Sequence, residues 1–320
     1  MSSPDSKGLF SRVIYESNPV ALPLHTKQSA EKNARSVFEY LDCTPDDVPC
    51  MRNKTVDEIL DAQKNAVKLT LSTLLVNFLP FSPIVDANST LPEQPLDAFM
   101  AGRLYAAPTA TLAGSMYDEG QLFVYELFTS PLDVSAYDAV LRGVFGDAAP
   151  AVKEQYPPTL VPDNTDMRNV LNYLATDLLF YCPLRNQSRS LQAAGVTAPT
   201  YVYRFKHVIS FDCWGPNYTY CVGVVCHGSE LPFVFGVFSS GDIQYTPTAD
   251  EQLLSSDLSG AWSNFLHSGD PNNGYKAPAP YLVYDTKQNG LVVLDEPGSE
   301  DQFVVRDAFC QLWDSIGYFW

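Results

Sequence analysis

The chain has four histidines, and one of them, His227, sits at a sharp, glycine-flanked change of direction. It lies in Cys221-Val-Gly-Val-Val-Cys-His-Gly-Ser-Glu-Leu-Pro-Phe-Val-Phe-Gly236. Imidazole is the commonest general base because its proton comes off near neutral pH. Rigid scaffolds tend to carry such groups on loops that follow strands, and an apolar, β-rich approach precedes His227. Residue type alone favours a plainer reading, a hydrogen-bonded structural histidine. An acid is available at the turn Met116-Tyr-Asp-Glu-Gly120; taken alone, Glu119 reads as a solvated turn carboxylate. None of the 18 glycines is followed two places on by serine, so the Gly-x-Ser-x-Gly nucleophile elbow is absent from the chain. Cys226 beside His227 makes a poor dyad, because neighbours in an extended segment point to opposite faces. A zinc set of Cys213, Cys221, Cys226 and His227 lacks the close cysteine knuckle such sites use.

The elements that must position these groups follow from periodicity. Tyr105 to Ser115 is small and apolar enough for a strand buried in a sheet, with Asp118-Glu119-Gly120 at its end and a helix from Gln121 to Phe128. Thr200-Tyr-Val-Tyr-Arg-Phe205 alternates clearly and predicts a second strand. A short buried strand is predicted around Val13 to Glu16, and a helix through Ala30, Ala34, Val37, Phe38 and Leu41. Thr55-Val-Asp-Glu58 is a capping box opening a helix that runs from Val56 to about Leu69. Met167, Val170, Leu171, Leu174 and Leu178 give an amphipathic helix ending near Cys182, and Leu253 to Leu266 a long one closed by Ser-Gly-Asp-Pro-Asn272. Tyr281 to Tyr284 with Leu291 to Leu294 suggests a small hairpin, and Phe309 to Ile316 a terminal helix. Alternation of strand and helix without a composition break predicts an α/β layer architecture in one domain, 1–320.

Composition narrows the function classes. A formal charge of −17 excludes nucleic acid and anionic membrane as partners. No apolar run is long enough for a transmembrane segment, and the first residues have no apolar core of a signal peptide. Seven cysteines together with the sequons at Asn53, Asn88, Asn186 and Asn217 nevertheless point to a glycoprotein of an oxidising, secretory setting. Cys43 and Cys50 bracket a Thr-Pro-Asp-Asp turn at a spacing suited to a local disulfide.

Nine segments, in this order, resemble the type-B carboxylesterase and cholinesterase family. They are Ser3-Pro-x-Ser-Lys-Gly-Leu-Phe10, Cys43 with Cys50-Met-Arg52, Pro83-Ile-Val-Asp86, Gly114-x-x-x-Asp-Glu-Gly120, Cys182-Pro, His227-Gly-x-Glu-Leu-Pro-Phe-Val-Phe235, Trp262-x-Asn-Phe265, Gly269-Asp-Pro-Asn272 and Cys310-x-x-Trp313. The resemblance runs the full length yet covers only the C-terminal half or so of such an enzyme. It implies part of an α/β-hydrolase fold: a mostly parallel central sheet flanked by helices, with the N-terminal strands and the nucleophile elbow missing. It makes Glu119 the acid and His227 the base of a triad, places Leu122 and Phe123 at pocket-lining positions, and calls for no cofactor. Ser17 falls in the strand after the nucleophile helix, and Ser229 reads as a helix-start hydroxyl, so neither replaces the serine. The family pattern pairs Cys43 with Cys50 and Cys182 with Cys310. Cys221–Cys226 is favoured for a third pair, with Cys213 free or paired outside the chain.

Three functions compete. The first is a secreted hydrolase of small carboxylic esters, of which this chain alone is a truncated, inactive form. The second is a non-catalytic relative used for binding or adhesion, and the third is a fragment without independent function. Two triad positions are intact, which favours descent from an active enzyme.

Overall fold

The segment Ala110–Met116 consists of small and apolar side chains, and all seven are buried. A strand with both faces covered reads in this way, since neither face meets water. In the computed structural model, which describes residues 1–161, 165–273, 280–287, 290–295, 300–302 and 306–319, this strand, β2, is flanked by β1 (Arg12–Glu16) and β3 (Thr200–Phe205). The sheet continues through β4 (Leu291–Leu294) to β5 (Glu300–Gln302) in the order β1-β2-β3-β4-β5. The first four strands are parallel, with Arg12 opposite Ala110, Met116 opposite Phe205 and Tyr203 opposite Val292. Only β5 runs antiparallel.

Register puts alternate residues into two different cores. Ala113, Val202 and Val293 face a helical layer containing Val124, Leu171, Leu174 and Trp313. Leu112, Tyr203 and Val292 face a second layer with Leu258, Trp262 and Phe265. Gly114 is required between these layers, because a Cβ there would lie 2.2 Å from the Tyr203 ring. The second layer is built on the long helix Ala249–Ser268, opened by a Thr248–Glu251 capping box and stopped at Gly269, where φ is +83°. Each buried leucine or phenylalanine on it contributes roughly 1.5–3 kcal/mol.

Four sequence expectations need correction. β2 begins at Ala110 and not at Tyr105, because Pro108 interrupts the run. The capped helix from Val56 stops at Asn65, since Leu69 belongs to the exposed segment that follows. The helix from Arg168 does not end near Cys182: a π-helical stretch, Thr176–Tyr181, leads into a further helix, Cys182–Ala193. Pro183, which has no N–H to carry a helical ladder on, stands where the π-helical stretch gives way to that helix. Among the described residues no hairpin pairs Tyr281–Tyr284 with Leu291–Leu294. The latter is a parallel strand buried on both faces, and the former touches the sheet through one bridge, Val283 to Tyr201. Among the described residues no helix is long and apolar enough to cross a membrane.

Candidate active site

Glu119 stands three residues beyond the carboxyl end of β2, as the first residue of α1 (Glu119–Leu127). It is fully buried, and both carboxylate oxygens are used. Oε1 accepts a hydrogen bond from the Met116 N–H at 2.7 Å. Oε2 lies 2.6 Å from His227 Nδ1. A carboxylate in the first turn also meets the positive end of the helix dipole. The next residue must be glycine, since a Cβ at Gly120 would fall 2.5 Å from the Asn172 carbonyl oxygen. Without that side chain α1 packs directly on α2 (Arg168–Ala175), and Gly120 N–H donates to Thr176 Oγ1 at 3.0 Å. Asp118 is turned away from the imidazole: its Oδ1 accepts from Asn172 Nδ2 at 3.0 Å and its Oδ2 from Val225 N–H at 3.2 Å.

His227 is not preceded by a strand, contrary to the sequence reading. Its approach contains one 3-10 turn, Thr219–Cys221, then a loop closed by the Cys221–Cys226 disulfide and turned at Gly223, where φ is +81°. An isolated parallel bridge between Asp118 and Cys226 sets the loop against the acid turn. The reason is covalent: a disulfide across so few residues forbids an extended chain. The imidazole is 32% exposed at the side chain and rests against Phe123 and Phe180, with ring centroids 5.1 and 5.3 Å away. A carboxylate accepts only, so the short contact fixes the proton on Nδ1 and leaves Nε2 for chemistry.

Behind this pair lies a polar group that sequence reasoning passed over. Glu230 is 1% exposed, and burial, together with the nearby Glu119 charge, pushes its carboxyl up to about 8. It is therefore protonated at neutral pH. The signal was present in the sequence, an acid three residues after the candidate base, but its burial was not. Tyr203 shares the region and is raised by burial and then by the Glu230, Glu16 and Glu119 charges. Ser17, at φ +54°, and Ser229 are both buried with hydroxyls that make no hydrogen bond. A serine that attacks an ester must reach the substrate, and neither hydroxyl has exposed surface. Ser229 does not cap the short helix Leu231–Val234 either. Cys213, half-buried and outside the disulfides, has its thiol pKa raised by burial, which makes it a weak nucleophile.

Beside the imidazole is an apolar cavity of about 70 Å³, lined by Phe78, Phe123, Val140, Leu171 and Leu178 among others. Phe123 forms its wall toward His227. Leu122, the other expected lining residue, is not part of it, because successive helical residues point about 100° apart. A pocket lined by apolar side chains suits apolar groups.

A buried acid on the turn after one parallel strand, bonded to a histidine on a loop beyond the next, defines an α/β-hydrolase-like arrangement. The sequence pattern of the carboxylesterase family matches residues 1–313, and the chain belongs to that family. It is 32% identical to the Crystal protein of Dictyostelium discoideum over 99% of this chain and 56% of that protein. With the acetylcholinesterase of Bungarus fasciatus the identity is 28%, over 98% of this chain and 52% of the relative. The structure of PNB esterase superposes with a TM-score of 0.71 at 24% identity, covering 97% of this chain and 59% of that one, a likeness of fold. The chain thus spans about half the length of the curated relatives it matches.

Proposed function

We propose that this chain supplies the acid and the general base of a serine hydrolase of small carboxylic esters, in an extracellular setting. The nucleophilic serine and the oxyanion amides come from a segment outside these residues. The observation that carries the reading is the 2.6 Å contact between the fully buried Glu119 carboxylate and His227 Nδ1. Glu119 holds the imidazole in the tautomer whose Nε2 removes a serine proton, and it stabilises the imidazolium that forms. Nε2 then returns the proton to the leaving alcohol. Attack on the carbonyl creates an oxyanion, which backbone amides stabilise, and water releases the acyl group by the same route in reverse. The apolar cavity next to Phe123 suits an alkyl chain of the ester. Three disulfides support the secretory setting.

The reading is tested on the 320-residue chain by following p-nitrophenyl butyrate hydrolysis with and without His227→Ala. The expected result is no turnover that depends on His227, since the nucleophile is elsewhere. Turnover abolished by His227→Ala would place a nucleophile within this chain and contradict the assignment.

A further inference from the structure

The stretch between the end of β3 and His227 contains no regular element longer than three residues, yet the imidazole is held within 2.6 Å of Glu119. Apart from the Phe123 and Phe180 rings against the imidazole, the contacts that fasten its approach to the acid's turn and helix come from one small loop. Cys221 and Cys226 are disulfide-bonded and buried, at 1% and 0% exposure. Just before the bridge, the Tyr220 carbonyl accepts from Gln121 Nε2 at 3.0 Å, and the Tyr220 ring stacks on Tyr125 at 5.4 Å. Within the loop, Val225 O accepts from Asp118 N–H at 3.1 Å, and Val225 N–H donates to Asp118 Oδ2 at 3.2 Å. After the bridge, Ser229 N–H donates to Cys226 O at 3.0 Å and folds the chain back past the imidazole. Asp118, Gln121 and Tyr125 belong to Glu119's own turn and helix. The loop therefore fastens the base to the element that begins with the acid.

We propose that the Cys221–Cys226 loop, with Gln121 as its tether, positions His227, so that the acid–base pair is assembled only when this disulfide is formed. Global stability is a poor reason for the bond. A bridge across a sequence separation of 5 restricts the unfolded chain much less than the Cys182–Cys310 bridge across 128. Its effect is local: the loop carries only turns, and the disulfide fixes the distance between the Gln121-bound Tyr220 and the Asp118-bound Val225. Reduction by a dithiol, which is oxidised to its own disulfide as two cysteine thiols form, would free the base while the sheet stays intact. The site is thereby tied to an oxidising environment.

The inference rests on the acid–base reading above but needs no turnover for its test. The chain is labelled with ¹⁵N-histidine, and long-range ¹H–¹⁵N spectra are assigned with His227→Gln. The unaltered chain is expected to show His227 protonated at Nδ1, with a low-field proton protected from exchange. In the double variant Cys221→Ala/Cys226→Ala that proton is expected to vanish and the two ring nitrogens to average, while the His25 and His207 signals hold. The control Cys43→Ala/Cys50→Ala is expected to leave His227 unchanged. Persistence of the low-field proton without the Cys221–Cys226 bond overturns the proposal. Should the double variant lose the His25 and His207 signals too, Gln121→Ala decides: loss of the His227 proton supports the clamp, and its retention overturns it. Absence of that proton in the unaltered chain would instead contradict the acid–base reading itself, and the clamp with it.

Discussion

Glu119 and Glu230 show how differently two carboxyls in one buried region are matched by hydrogen bonds. Glu119 is matched by a backbone N–H and an imidazole N–H. Glu230 has one oxygen without any hydrogen bond and is raised to about 8 by burial and then by Glu119. An unfolded glutamate titrates near 4.3, so between about pH 4.3 and 8 the native protein holds a proton the unfolded chain has released. This contribution to stability is complete below that window and is lost as pH rises through it. Glu230→Gln keeps the neutral shape and should remove the effect. Its stability relative to the unaltered chain should rise by up to about 1.4 kcal/mol per pH unit across the window, read from urea midpoints at pH 5, 6, 7 and 8. A constant difference would mean that Glu230 is ionised in the native state. The sequons divide at the same scale. Asn53, Asn88 and Asn217 are exposed, whereas Asn186 is half-buried in a helix and donates its Nδ2 to Asp314 at 3.2 Å. Peptide mapping after secretion should find glycan on the first three and none on Asn186; glycan at Asn186 would show that this helix face opens.

At the level of elements, the site depends on α1 meeting α2 without side chains between them. Gly120→Ala would force a Cβ to 2.5 Å from Asn172 O, and overpacking of that kind costs about 1–3 kcal/mol. A lowered urea midpoint is expected; an unchanged one would mean that the helices separate at no cost. The strands that frame the site were legible because their patterns are local. Thr200–Phe205 alternates, and Ala110–Met116 is small and apolar. Glu119 and His227 were legible through family-like motifs around them. Other features were not, because distant partners create them. The approach to His227 owes its shape to Asp118, over 100 positions away in sequence, acting together with the Cys221–Cys226 bond that the sequence analysis favoured. Leu291–Leu294 looked like half a hairpin, since a short apolar run does not reveal its neighbours. The π-helical stretch beside the site leaves no periodic signature, and Phe180 within it touches the imidazole.

Over the whole molecule, long-range staples hold the C-terminal helix, Asp307–Ile316, to the helical layer. Cys310 is bonded to Cys182, Arg306 pairs with the buried Asp177, and Arg185 with Asp307 and Asp314. The chain-entropy model gives a bridge across a separation of 128 about 4–5 kcal/mol. Cys182→Ser/Cys310→Ser should lower stability by an amount of that order in urea titration, and a loss under about 1 kcal/mol would count against it. Other parts of the surface are less protected. β1 ends the sheet among the described residues, and Leu69, Leu79, Phe81 and Ile84 are exposed. Open strand edges and apolar patches promote association, so light scattering should show concentration-dependent self-association of this chain.

Glu119 and His227 are proposed to act as one unit on an ester. The deciding measurement is kcat/KM for p-nitrophenyl butyrate in a protein that joins this chain to the proposed nucleophilic segment, with Glu119→Gln, His227→Ala and both together. Members of a triad act non-additively. Glu119→Gln and His227→Ala are each expected to lower kcat/KM by about 10³-fold or more, and the double variant to be little worse than His227→Ala alone. Losses under about tenfold, or losses that multiply in the double variant, would contradict it.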